Sequence, residues 1–391
     1  MKKTTILFIH HGTGIGGALI SMLNVVKRLN KDKYNIKVAC LKGGDHIDIL
    51  RNEGIETDII GASTRYFYHN ETGNIQWYFF PYYIVVFFVW LYTAYYVAPK
   101  YLKKQKFDLI HLNSHVLTSW AFAAHKLGSR VILHNRETIT RGYFGIRYRI
   151  LKNLIKDNCN HIINISQDNK DRLGLIKNSS VVYNFIEIPI EYKQPMNDDR
   201  KIKKVLFLGG MASIKGFDVT VECLDYLNEN IEVNFAGYIN KEITFRNFID
   251  VIRDKITQNS TKIKKIAGSP NAKIIGVLKN PYEYIDDCDI LITPFKISHF
   301  SRPAIEAFAY GKPVIGSDVV GMSEIIDHNV NGLIFESTNP LSLANSINYL
   351  CGNPNIAKQM GRKGRQKAID IFSPEANISK VERIYAKVLN S

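Results

Sequence analysis

Short, almost wholly apolar runs recur along the chain. In the first half they are Thr4 to His10, Asn35 to Cys40, Leu109 to Leu112, Val131 to His134, Ile162 to Ser166 and Val181 to Asn184. In the second half they are Lys204 to Leu208, Val233 to Gly237, Lys273 to Gly276, Ile290 to Pro294 and Val314 to Gly316. Such runs do not alternate apolar with polar, so they predict strands covered on both faces, as in a parallel sheet. The stretches between several of them, including Ala18 to Leu29 and Tyr282 to Asp289, read as helices, and Pro374 to Leu389 reads as an amphipathic helix closing the chain. Strands alternating with helices give an α/β architecture. The segment Ile186 to Lys201 is polar, carries prolines and lacks a periodic face, which suits a linker. With 391 residues, more than one core usually serves, the expected organisation is a domain over 1–190, a second over 191–373 and a terminal helix over 374–391.

One stretch departs from this alternation. Thr72 to Pro99 carries no Asp, Glu, Lys or Arg, and Trp77 to Ala98 is long and apolar enough for a membrane span. A span would put the strands before and after it on opposite sides of a bilayer, although their pattern assigns them to one sheet. An aromatic-rich helix packed in the domain is one alternative. The favoured expectation is a segment over 76–104 that is partly core and partly interfacial. Tyr and Trp suit headgroup depth, and Lys100, Lys103, Lys104 and Lys106 follow directly, as attraction to anionic lipid requires.

Charge adds to this picture. The net charge is +15, and residues 1–190 hold 25 Lys and Arg against 13 Asp and Glu, so the surplus of 12 there leaves only 3 for the rest. A basic first half fits an anionic lipid surface or substrate, and no nucleic-acid partner is expected. The five cysteines, Cys40, Cys159, Cys223, Cys288 and Cys351, form no close pairs and read as thiols of a reducing compartment. The apolar run after Met1 is too short for a signal peptide and reads as a first strand.

Candidate chemistry lies in loops that follow strands. Gly12, Gly14 and Gly17 match the GxGxxG spacing of dinucleotide-binding turns, yet Cys40, Leu41 and Lys42 stand where a nicotinamide enzyme places its ribose-binding acid. A nicotinamide-dependent oxidoreductase therefore remains only an alternative. His134 ends a buried strand at the edge where open α/β sheets bind ligands, with Arg136 and Glu137 on the same loop; a lone histidine there is more often structural. Pro303 is suited to the first position of a helix, so the residues before it lie at a helix N-terminus that favours an anion such as a diphosphate. Glu306, one turn on, is a carboxylate able to accept from two adjacent sugar hydroxyls.

The stretch His299 to Glu336 resembles the signature of the retaining, nucleotide-sugar-dependent glycosyltransferases of family 4, through Phe300, Pro303, Glu306, Gly311, Pro313, Val314, Ile315, Gly321 and Glu324. Lys215-Gly216 and the Asp108 to His111 strand resemble the same family. The resemblance implies two Rossmann-like domains facing a cleft (GT-B) and transfer of a sugar, with retention, from a nucleotide-diphosphate donor used as co-substrate, with no bound cofactor or metal. It implies that Gly16 and Gly17 approach the donor or acceptor, that Gly209, Lys215 and Gly216 form the diphosphate loop, and that His134 lies near the donor sugar. Two positions depart from the family pattern. Ser298 stands for the first glutamate of a Glu-x7-Glu pair, and Gly210 for an arginine of the cationic clamp. Arg302, beside the Pro303 helix start, is a candidate replacement for that cation, or else a surface residue. The resemblance thus assigns Lys215, Arg302 and the N–H groups near Ser301 to the leaving group, Glu306 to the ribose, and His134 with Ser298 to the sugar. The expected acceptor is a lipid-linked saccharide met on the cytoplasmic face of the membrane, in cell-surface polysaccharide synthesis. A nucleotide-sugar-binding protein with impaired catalysis is the other alternative.

Overall fold

The computed structural model describes residues 3–14, 16–63, 80–139, 141, 143–174, 176–196, 200–237 and 258–391. Residues 76–79 of the aromatic segment lie outside that set, as do 197–199 of the expected linker. The chain forms two compact units, Met1–Phe185 with Pro374–Ser391, and Ile186–Ser373.

Unit 1 is built on β1 (Thr4–His10), β2 (Tyr34–Cys40), β3 (Glu56–Ile59), β4 (Leu109–Leu112), β5 (Arg130–Asn135), β6 (His161–Asn164) and β7 (Ser179–Val181). They pair in the order β3-β2-β1-β4-β5-β6-β7, and every pairing is parallel. Both faces of the sheet are covered, which explains the unbroken apolar runs. One face carries α1 (Gly17–Arg28) and the C-terminal helix Pro374–Leu389, whose Val381, Ile384, Tyr385 and Val388 complete a core with Phe8, Leu19 and Met22. The terminal helix is therefore an integral part of this unit.

The other face carries the aromatic helix, α3 (Phe80–Tyr92), which continues through one wide turn, Thr93–Val97, into α4 (Ala98–Leu102). It also carries α5 (Thr118–Lys126) and α6 (Ile146–Asn158). Ala98, Leu102, Trp120, Leu151 and Ile155 join Leu7, Ile9, Leu112 and Leu133 in one cluster. Only a narrow seam of the long helix is buried, including Val86, Ala94, Ala98 and Leu102, and of these Ala98 and Leu102 enter that core. Its other faces leave Ile84, Val85, Phe87, Phe88, Tyr92, Tyr95 and Tyr96 exposed.

Unit 2 repeats the plan with β8 (Lys203–Phe207), β9 (Ile231–Ala236), β10 (Ala272–Gly276), β11 (Ile290–Thr293), β12 (Val314–Ser317) and β13 (Gly332–Phe335), in the order β10-β9-β8-β11-β12-β13 and again all parallel. The two expected Rossmann-like α/β units are thus both present. The segment expected as a free linker is stapled to unit 2. The buried Lys312 ammonium donates to the Lys193 carbonyl, Arg365 donates to the Pro189 carbonyl (2.6 Å) and lies 4.2 Å over the Tyr192 ring, and the Met196 N–H donates to Asp289 (2.6 Å). Those side chains come from far along the sequence, so composition alone does not reveal them.

Candidate functional site

In each unit the strand order reverses beside the first strand, between β1 and β4 in one and between β8 and β11 in the other. Loops leaving the carboxyl ends of such neighbouring strands diverge to opposite faces and open a crevice, the usual ligand position in this architecture. The candidate residues gather at these two points.

In unit 1 the glycine loop follows β1. Gly16 precedes α1 with an extended backbone (φ −119°, ψ 171°), and a Cβ added at Gly14, Gly16 or Gly17 would meet no atom within 4 Å. Neither left-handed geometry nor crowding therefore demands glycine at Gly16 or Gly17, and the solvent-facing backbone there stays open to a ligand. Around the loop lies a buried polar network. Asn113 joins His10 Nδ1 (3.0 Å) and the Ala18 carbonyl (3.1 Å), while Arg136 Nε donates to Asn113 (2.5 Å) and Nη1 to Asn184 (2.8 Å). Glu137 accepts from Ser114 (2.8 Å) and lies 3.4 Å from His115 and 3.8 Å from His11.

His134 is only 3% exposed. Arg136 Nη2 lies 3.2 Å from its Nδ1 and His111 Nε2 lies 3.3 Å from the same atom. A guanidinium has no acceptor, so Nδ1 of His134 accepts and the ring proton sits on Nε2. The same logic continues backward: His111 donates from Nε2, and its Nδ1 accepts from the Tyr385 hydroxyl at 2.7 Å. Among the described residues, Nε2 of His134 has no hydrogen-bond partner. Burial, then the Arg136 charge, then His111, hold the His134 pKa well below the ordinary histidine value. The ring is therefore a fixed neutral N–H donor, suited to holding a hydroxyl oxygen rather than to moving protons near neutral pH. His10 is alike: Asn113 Nδ2 donates to its Nδ1, its Nε2 has no partner among the described residues, and burial followed by His11, His46 and Arg136 lowers its pKa to about 3.

In unit 2 the loop after β8 makes a tight turn at Ser213–Lys215 before α8 (Phe217–Cys223). Gly216 has φ 82°, and a Cβ there would lie 1.9 Å from the Pro294 carbonyl oxygen, so only glycine lets this loop meet the one after β11. Gly209 is equally confined, since its Cβ would fall 2.1 Å from the Phe207 ring. Gly210 stands at φ 59°, which makes an arginine there costly by about 1–2 kcal/mol. Lys215 reaches solvent, yet the protein around it lowers its pKa. Its charge also bears on His299, whose pKa falls to about 4, chiefly through burial and then through Lys215. The Lys296 N–H donates to the Ile214 carbonyl at 3.0 Å, so the two strand-end loops meet at the Lys215 turn.

The second loop enters α11 (Arg302–Ala309). The fully buried Ser301 is its N-cap, its hydroxyl accepting from the Ala304 N–H at 3.4 Å, and Pro303 occupies the first turn. Phe300 is buried with its ring edge-on to Phe372, 5.9 Å away, so its side chain anchors the loop. Ser298 is also buried. Arg302 Nε donates to Glu306 Oε1 at 2.7 Å, and the Tyr282 hydroxyl shares that oxygen at 3.3 Å. The expected leaving-group cation and ribose carboxylate are therefore already paired with each other. Sequence reading missed Tyr282 and also Lys296, whose ammonium pairs with Asp218 and lies 3.3 Å from Ser213. Neither shares a motif with its partners, and only the folded backbone brings them together. Among the described residues, no group of three or more His, Cys, Asp or Glu is placed to hold a metal ion.

The profile described as Glycosyl transferases group 1 matches residues 190–367, and that described as Glycosyltransferase Family 4 matches residues 15–188. An uncharacterized glycosyltransferase of Methanocaldococcus jannaschii is 26% identical over 312 residues, covering 76% of this chain and 81% of the relative. The capsular polysaccharide biosynthesis glycosyltransferase CapM of Staphylococcus aureus is 23% identical over 177 residues, covering 41% of this chain and 47% of the relative. Among solved structures, Anabaena HepE in complex with UDP and glucose superposes with a TM-score of 0.76 over 99% of both chains at 18% identity, a likeness of fold. The first-half match takes in Gly16 and Gly17, which removes the nicotinamide-oxidoreductase alternative.

The buried histidines generate a stability prediction. His10 is held near 3, His115 and His161 near 4, and His111 and His134 well below 6.5, whereas all five titrate near 6.5 when unfolded. Between the folded and unfolded values the unfolded chain binds more protons, so this stabilisation is complete above pH 6.5 and is lost as pH falls below it. Thermal melts from pH 7.5 to 4.5 are expected to show unit 1 losing Tm steadily below pH 6.5. A Tm independent of pH over that range would contradict the neutral-histidine assignment.

Proposed function

The chain belongs to the group 1 glycosyltransferases of family 4, and from that premise we propose that it is a retaining hexosyltransferase. In this reading it moves the sugar of a nucleotide-diphosphate donor onto a hydroxyl of a lipid-linked saccharide, at the cytoplasmic face of the membrane, in cell-surface polysaccharide synthesis. The observation that carries the donor assignment is the packing of the Lys215 turn against the loop that leads from β11 through His299 to the Ser301-capped α11, at the switch point of unit 2. Negative charge grows on the diphosphate as the sugar bond breaks, and a fixed cation beside a helix N-terminus stabilises that charge without reorganisation. Arg302 adds a second cation, with Glu306 taking up ribose hydroxyls as the Arg302 pair opens. His134 supplies its N–H to a sugar hydroxyl, Ser298 a shorter polar contact, and Gly16 and Gly17 a close backbone approach. HepE is named in complex with UDP and glucose, which supports a uridine diphosphate sugar as the first donor to try. No resident cofactor or metal enters this chemistry.

Lys215→Ala is expected to lower kcat/KM at least about 100-fold, the scale on which single electrostatic contributors act, while Tm changes little. NMR of the product should show the anomeric configuration of the donor. An inverted product would refute retention, and an unchanged kcat/KM would remove Lys215 from the leaving group. The impaired-catalysis reading rests on Ser298 and Gly210, and predicts donor binding with no product under any acceptor condition.

Membrane placement is supported by unit 1. The stretch Ile84–Leu102 is long and apolar enough to cross a membrane, yet its flanking strands β3 and β4 lie in one sheet and only 22% of its apolar window is buried. Such a helix suits lying in an interface. On the same face of the sheet, Phe144 is 91% exposed, and Ile146 and Ile150 are exposed one turn apart on α6 beside Arg147 and Arg149. Lys126 stands over the Tyr95 and Phe122 rings, at 5.2 and 4.8 Å from their centroids. Vesicles containing phosphatidylglycerol should sediment with the protein, and phosphatidylcholine vesicles should not. Phe88→Glu together with Phe144→Glu should abolish the binding; retention of binding by that variant would overturn the placement.

A further inference from the structure

A groove of about 650 Å³ runs along the outer side of the aromatic helix in unit 1. Its floor is formed by one face of the helix from Val85 to Tyr101, in steps of three and four, with Lys104 in the turn just beyond Leu102. At about 1.5 Å per helical residue that face is roughly 24 Å long. It is unequal along its length. Val85, Phe88, Tyr92 and Tyr96 make one end apolar and aromatic, and Lys100 and Lys104 bring two cations to the other. The opposite wall is the backbone Ile60–Ser63, which continues beyond β3, with Ile60 and Ala62 donating to the carbonyls of Cys40 and Leu41.

Among the described residues, the carboxylate that the Lys104 charge reaches is Asp58, whose pKa it helps to lower. Lys100 lies 5.5 Å from the Tyr96 ring centroid. The nearby carboxylate is Asp58, which already accepts from Lys37 and from the Tyr101 hydroxyl, both at 2.9 Å. An apolar channel about 18 Å long, from Val85 to Val97, with positive charge at one end is complementary to a single extended hydrocarbon chain ending in a phosphate.

We propose that this groove binds the isoprenoid chain of the lipid-linked acceptor, with its phosphate or diphosphate on Lys100 and Lys104. The proposal rests on the lipid-linked-acceptor reading and adds the site that recognises the lipid. The groove then selects an acceptor by its carrier, before the saccharide reaches the transferase residues. A bulk phospholipid, with two chains on one glycerol, does not match a single-file apolar face.

The test uses the full-length protein in detergent with a benzophenone-bearing farnesyl diphosphate as probe, and maps the photo-cross-link by mass spectrometry. Labelling is expected within 85–104 or 60–63, competed by unlabelled farnesyl diphosphate. It should fall at least tenfold in Lys100→Glu/Lys104→Glu, whose exposed positions leave the melting curve unchanged. Labelling elsewhere, or labelling indifferent to the charge reversal, would overturn the proposal. Equal competition by monomeric dihexanoyl phosphatidylglycerol, which brings the headgroup and two short chains without a bilayer, would assign the groove to bulk lipid and also overturn it. Sugar transfer to a lipid-linked saccharide is measured in parallel. Transfer without groove labelling would defeat the groove and keep the acceptor reading, whereas groove labelling without transfer would keep the groove and defeat that reading.

Discussion

The reversal of strand order in each parallel sheet is the constraint on which the rest of the structure depends. Parallel strands covered by helices on both faces have no exposed apolar surface at which to bind a polar ligand, so chemistry is confined to strand ends. At the reversal, neighbouring loops part and leave backbone N–H groups accessible. The glycine loop after β1 and the Lys215 loop after β8 both stand there. In unit 2 the constraint is tight: Gly216 must lie against the Pro294 carbonyl for the loops after β8 and β11 to meet.

Electrostatics follow from that placement. Burial at the strand ends keeps His10, His111 and His134 neutral, and the Arg136 charge reinforces this. Unit 1 thus sets neutral imidazoles around the buried Arg136 guanidinium. Unit 2 places Lys215 in its turn and Arg302 in the first turn of α11. The pairing of Arg302 with Glu306 keeps each group from being a lone buried charge. The outer helices of unit 1 bear a third kind of surface, aromatic and basic, that neither sheet requires.

Much of the architecture was legible because apolar runs, glycines and Pro303 act locally. Pro303 announced the helix start, and the unbroken strand runs announced two covered parallel sheets. The aromatic helix was legible as anomalous because its length and lack of charge are local too. What escaped depends on distant residues. The Arg136 guanidinium fixes the tautomer of His134 and so that of His111, whose Nδ1 then accepts from the Tyr385 hydroxyl, 274 positions away. Tyr282 reaches Glu306, and Lys312 and Arg365 hold a segment whose composition reads as a loose linker. Glycine at 210 reads from the sequence as half a clamp lost, whereas its positive φ shows a backbone shape that favours glycine.

The most direct test of the central claim is saturation-transfer NMR of the protein with UDP-glucose, GDP-mannose and ADP-glucose in turn, following free sugar in the same tubes. One nucleotide sugar is expected to bind through its nucleotide and to release its sugar slowly without an acceptor. Saturation transfer to none of the nucleotide sugars, with the protein folded, would contradict the donor site built on Lys215, Arg302 and Glu306.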